Sequence, residues 1–352
     1  MMEISFFSST IVQVAISLVI SWALFALLCS MILEATVQIK SERGRFFRNK
    51  IVEKLFDFSN QINWGLLMYN NSNIRLLTKS EKAPPAEINS KTMAEVLIDT
   101  VANAQAAKIL LQEKKEDLNN KYNNDLLNNF EFAITYLGQS DLIMMLRNSM
   151  NKAKIKSSSS DAAVVEKRLY EELVKEVTTW FDQFNDRTSA WYKKLSRKRL
   201  FIIGLLVSGI VNIDSIALFK YYDSNPTARA AMVDYYTKNK EQLEALSAKY
   251  NPTGQSVVVD QASLALIKKD TEKLTKQIDS LRTNIDLPIG WKKAVCKEKK
   301  DPSGKDCFTL SCILLKILGI IISAFVASLG APFWFDVLKK ATSTAQTVTK
   351  VV

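Results

Sequence analysis

The sequence predicts an all-α integral membrane protein with three transmembrane helices, a cytoplasmic helical domain and an extracytoplasmic helical hairpin. Three observations predict it. Three apolar runs are long enough to cross a bilayer, Lys and Arg cluster beside two of them, and two heptad-spaced seams flank a turn. The 352 residues are 47% hydrophobic and 24% charged, with 10 Gly and 7 Pro, which excludes collagen-like, low-complexity and largely disordered chains. The chain contains no His, so His-dependent triads, His metal sites and the usual pH switch are excluded together.

The first span lies in residues 1–34. Ile4 to Leu33 carries no charge, and Thr10–Leu33 is ~24 residues, ~36 Å as a helix, against a ~30 Å hydrocarbon core. A cleaved signal peptide fits poorly, because Glu3 stands where a basic region belongs and the basic cluster follows the run. The second span covers residues 199–220, with its run at Leu200–Phe219. The third covers 309–338, with an apolar centre at Ile317–Phe335. Residues 339–352 form a tail.

Orientation follows the basic residues. Lys40, Arg43, Arg45, Arg48, Lys50 and Lys54 follow the first span, and Lys193, Lys194, Arg197, Lys198 and Arg199 precede the second. Both clusters place residues 35–198 in the cytoplasm, the N-terminus outside and the C-terminus inside. The lysines before the third span, Lys292 to Lys305, count weakly against this layout.

Residues 35–198 read as helical, with helices over Glu95–Leu111 and Asp125–Met150 and a loop at Pro84-Pro85. Asn151–Ser160 reads as a flexible basic linker. Asp161 then caps a long helix whose apolar residues Val165, Leu169, Leu173, Val177, Trp180 and Phe184 recur every three or four positions, and this helix runs straight into the second span. Within it, Trp180–Lys194 reads as a juxtamembrane interaction segment. Trp180, Phe181 and Trp191 pack, Asp182, Asp186 and Arg187 are its polar groups, and Lys193 and Lys194 meet anionic lipid.

Residues 221–308 read as a periplasmic antiparallel hairpin with a Cys loop. One arm carries Met232, Tyr236, Asn239, Leu243, Leu246 and Tyr250; the other carries Leu264, Ile267, Thr271, Leu274, Ile278, Leu281 and Ile285. The arms pair with each other, or their seams face separate partners or copies, and as a hairpin they reach ~37 Å away from the bilayer. Cys296 and Cys307 either form a disulfide suited to an oxidising periplasm or remain free thiols in a solvated loop.

Asp214 is the sharpest residue in the membrane, since an intramembrane carboxylate is costly. Lys316 lies at similar depth in the third span, so it either pairs with Asp214, which neutralises both and locks two helices together, or snorkels outward. Ala324, Ala327, Ser328 and Ala331 form a small-residue stripe that suits close helix packing, and Gly204 and Ser208 do likewise on the second span. Trp334 reads as an interface aromatic. There is no Walker A loop, G-x-G-x-x-G, G-x-S-x-G or C-x-x-C. The expectation is no catalytic residue, no metal, no cofactor and no nucleic-acid partner.

Six segments resemble a family of bacterial inner-membrane proteins with no assigned activity: CSMILE (29–34), GLLMYNNSNIRLL (65–77), WFDQFNDRTSAWYKK (180–194), VNIDS (211–215), LPIGW (287–291) and SLGAPFWFD (328–336). The family's pattern has His-Pro near the place where this chain has Asn71-Ser72. The resemblance implies a multi-span inner-membrane protein and supplies no catalytic residues. Helix-packing surface without chemistry leads to a non-enzymatic anchor or scaffold, in contact with lipid and with protein partners, with homo-oligomers allowed, that links a cytoplasmic assembly to the envelope. The alternative is a channel or transporter component using Asp214.

Overall fold

The first apolar run folds as one unbroken helix, α1 (Thr10–Ile39), because nothing in it breaks a helix and no charge precedes Glu34. This is a computed structural model, and it describes residues 10–78, 83–85, 87–103, 126–157, 162–251, 261–291 and 310–350. The chain is nearly all-α and divides into two compact units, residues 40–192 and residues 1–39 with 193–352. The Cys296–Cys307 pair, the Asp161 cap and the NPTGQS turn beyond Asn251 lie outside the described residues.

The unit 40–192 contains α2 (Glu42–Lys54), a short antiparallel pair β1 (Phe56–Asp57) and β2 (Ile62–Asn63), α3 (Trp64–Asn70), α4 (Ser72–Arg75), α5 (Ser90–Asn103), α6 (Leu126–Tyr136) and α7 (Asp141–Ser157). The first part of α8 (Ala162–Val211) completes it. The apolar faces of α3, α5, α6, α7 and α8 close on one core, in which Trp64, Phe130 and Phe181 are fully buried.

Two expectations change here. The helix expected over Asp125–Met150 is two helices broken at Gly138, whose N–H donates to the Asn60 side chain (2.8 Å) and whose carbonyl accepts from it (3.1 Å). Arg147 then donates to the last carbonyls of α6, Ile134, Thr135 and Leu137, and satisfies that helix end. The segment expected as a linker, Asn151–Ser160, is helical as far as Ser157. Ala153 is buried, Lys154 pairs with Glu131, and Lys156 pairs with Glu176. The hydrogen bond from Lys156 holds the Glu176 carboxyl below the usual carboxylate range.

The other unit holds α1, the end of α8, α9 (Ser215–Ser224), α10 (Pro226–Lys249), α11 (Gln261–Asn284), α12 (Leu310–Ser328) and α13 (Ala331–Lys350). Only α1 among the described helices is by itself long and apolar enough to cross a membrane. The second and third runs are each bent: α8 and α9 meet at 60°, α12 and α13 at 87°. The second bend sits at Gly330, whose φ of 81° suits glycine, and Pro332 follows in the first turn of α13.

The heptad arms also differ from expectation. The apolar seams of α10 and α11 pack along α1, with Met232, Tyr236, Leu243, Tyr250, Ile267 and Leu274 all buried in the core that α1 centres. Between themselves the arms make polar contacts: Tyr235 donates to Gln277 (3.4 Å), and Lys249 and Tyr250 donate to Asp270 (2.7 and 2.6 Å). They do not project away from the apolar helices; they lie beside one. Periodicity marks an apolar face, and the long apolar helix α1 covers it better than the other arm's mixed seam would.

Burial alone would raise the Asp270 pKa, but the hydrogen bonds from Lys249 and Tyr250 hold it below the ordinary value. A depressed folded-state pKa contributes stability above the unfolded value of ~3.9 and loses it as pH falls through the folded value. Asp270→Asn is expected to cost about 1–2 kcal/mol at neutral pH. Denaturant unfolding at neutral and strongly acidic pH checks this, and the gap between parent and variant should close at the acid end.

Candidate functional site

The break between α8 and α9 gathers the polar groups of the apolar unit. After Val211, Asn212 turns left-handed (φ 57°) and the Ile213 N–H donates to the Ser208 carbonyl (2.9 Å), a Schellman-type helix end. Asp214 then caps α9: its Oδ1 accepts from the N–H groups of Ile216 (2.9 Å) and Ala217 (3.1 Å). The carboxylate expected inside a continuous span therefore sits at a helix N-terminus, where the macrodipole favours negative charge.

Lys316 completes the arrangement. Its Nζ lies 3.4 Å from Asp214 Oδ2, with side-chain exposures of 15% for Lys316 and 3% for Asp214, so both charges are largely withdrawn from solvent. The ammonium also lies 5.9 Å from the Trp291 ring centroid. Gly319 makes room for the pair: a Cβ there would fall 1.8 Å from Asp214 Oδ1. Asn212 donates to the Gly290 carbonyl (2.8 Å) and Trp291 Nε1 donates to the Ile210 carbonyl (3.0 Å). The VNIDS and LPIGW segments thus meet at this break.

A directed hydrogen-bond chain runs on from it. Trp22 Nε1 donates to Ser215 Oγ (3.1 Å), Ser215 Oγ bonds Ser323 Oγ (2.8 Å), and Ser323 Oγ donates to the Gly319 carbonyl (3.0 Å). Ser323 has only one proton, so Ser215 is the donor between the two hydroxyls. Alongside, Gly204 packs directly on Ala324 and Ala327, where an added Cβ would lie 2.8 Å from Ala327 Cβ. These contacts fix the end of α8 against α12. Both Asp214 oxygens are engaged, so what the arrangement does chemically is hold two helices and a loop together.

The residues singled out in Trp180–Lys194 separate. Trp180 stacks with Phe184 (5.7 Å, 20°) and meets Phe181 (4.8 Å), which is fully buried in the core of its unit. Asp182, Asp186, Arg187, Lys193 and Lys194 are exposed, and Lys50 Nζ lies 5.9 Å from the Trp191 ring. Trp334 is buried rather than interfacial, tilted on Trp22 (4.9 Å) and donating to the Val326 carbonyl (2.9 Å). An open groove of about 410 Å³ between α7 and α8 is lined by Asp141, Met144, Lys152, Glu176 and Trp180 among others. Among the described residues no three Asp, Glu or Cys side chains converge on a point that could hold a metal ion.

Sequence reasoning missed two buried polar centres. Asp57 accepts from Asn60, Trp64 Nε1 (3.2 Å) and Ser140 Oγ (2.9 Å), tying the β-turn to the start of α7. Arg229, 5% exposed, donates to the Tyr222 (2.6 Å) and Asp223 (3.0 Å) carbonyls at the end of α9 and to Gln13 of α1 (3.3 Å). The signal available for Asp57 was the polar turn Ser59-Asn60-Gln61 after it; Arg229 had none.

Fold and site together define a nearly all-α protein in which one of the described helices is by itself long and apolar enough to cross a membrane, with a helix break sealed by a largely buried ion pair. No family model, curated protein or solved structure matches the chain.

Proposed function

We propose that the protein is a non-enzymatic anchor and scaffold of a bacterial inner membrane, holding residues 40–192 at the cytoplasmic face for protein partners. One observation carries the reading. Ile202, Leu206 and Ile210 at the end of α8 and Leu314, Leu318 and Phe325 on α12 are exposed, and the α8 residues come directly after the exposed basic residues Lys193, Lys194, Arg197 and Lys198. Exposed apolar surface on that scale marks a lipid or protein interface, and a basic collar suits an anionic cytoplasmic leaflet. The resemblance to inner-membrane proteins agrees with it.

Two fractions of one preparation test the proposal. Membranes washed at alkaline pH should keep the protein, and solubilisation in mild detergent should yield it with a reproducible partner. Release by the wash contradicts the anchor, and a lone monomer in detergent contradicts the scaffold.

A further inference from the structure

We infer that the surface embedded in lipid is the antiparallel pair made by the end of α8 and α12, and that α1, despite its composition, is kept out of the lipid by α10, α11 and α13. The inference rests on the anchor reading and specifies its contact surface.

Other helices of the same unit cover most of α1. Across its most apolar stretch, 61% of the residues are buried inside the molecule. Arm α10 follows α1 along its length. Arg229, near the start of the arm, bonds Gln13, and Tyr250, just past its end, is buried in the same core as Leu33. The outward faces of the two arms carry the exposed charges Asp234, Lys238, Glu241, Lys268, Lys273 and Lys276. Each charge held in hydrocarbon costs at least about 2.5 kcal/mol, so six of them along one span outweigh what lipid contact with the remaining open part of α1 could return.

Helix α13 advances alongside α10, with Phe335 on Tyr236 and Lys339 paired to Glu244, packs Trp334 on Trp22 of α1, and leaves α12 at 87°. A bilayer normal aligned with α12 therefore lays the sheathed α1 bundle across the membrane rather than through it. The α8–α12 face is itself apolar in composition. From Leu200 to Val211 there is no charge, and the one charge in α12, Lys316, turns inward onto Asp214. Acyl chains can cover this face with no ion to desolvate, and the basic collar sits one turn before it.

Photolabelling tests this on the full chain. The protein is reconstituted into phosphatidylethanolamine–phosphatidylglycerol vesicles that carry a diazirine in the acyl chain, and labelled residues are mapped by mass spectrometry. Label confined to Leu200–Val211 and Ile313–Phe325 is the expected result. Label on Val14–Leu33 equal to that on α12 overturns the inference while leaving the anchor reading standing. Protein–protein cross-links through Leu206 and Leu318 without lipid label would show that a second copy covers the face, and also overturn it. Failure of the protein to enter vesicles at all sinks the anchor reading itself.

Discussion

Asp214→Leu is expected to destabilise the protein by about 3–5 kcal/mol, because it strands the Lys316 ammonium in a largely buried place and removes the α9 cap. Lys316→Met in the same chain should recover most of that loss, since the costly species is the single unpaired charge and not the absence of the pair. About 1 kcal/mol should persist in the double variant from the lost cap. Denaturant unfolding in detergent followed by circular dichroism gives the cycle. Additive single losses would mean that the two groups do not interact. Asp214→Asn isolates the charge, because its amide oxygen can still accept from Ile216 and Ala217. Reconstituted vesicles should show the same ion flux with this variant as with the parent. A changed flux with unchanged stability would favour the channel reading.

Leu243→Ala and Leu274→Ala should each cost about 2–5 kcal/mol, since both side chains are essentially fully buried in the core around α1. Lys238→Ala, on the exposed outer face of α10, should stay within about 0.5 kcal/mol. Hydrogen exchange gives the more specific readout. Loosening either arm should speed exchange in the middle of α1, because the arms shield that helix. Unchanged protection of α1 in the Leu243→Ala protein would mean that the seam serves some other surface.

The two arms show what the sequence could and could not reveal. The heptad spacing of Met232 to Tyr250 and of Leu264 to Ile285 marked the right faces, and nearly every seam residue is buried or half-buried. Spacing says that a face is covered and not by what, so the other arm, a separate partner or a second copy fits it as readily as α1 does. The breaks were hidden for a different reason. Asn212 and Asp214 are the residue types that end and begin helices, and Gly330 and Pro332 likewise, but each pair lies inside an apolar run whose hydropathy outweighs two such residues. The Asp214–Lys316 contact was legible because two opposite charges in apolar surroundings have few other partners. Lys154 and Lys156 misled because their partners, Glu131 and Glu176, lie in other helices. A run of lysine and serine reads as solvated until the tertiary structure supplies those carboxylates.

The most direct test of the anchor is a vesicle flotation assay on Leu206→Asp/Leu318→Asp, compared with a protein carrying two aspartates at the outer arm positions Lys238 and Lys276. All four side chains are exposed, so both proteins should keep the parent's helical content in detergent. The α8–α12 variant is expected to stay at the bottom of the gradient while the arm variant floats with the lipid. Flotation of both, or loss of flotation by the arm variant alone, would contradict attachment through the α8–α12 face.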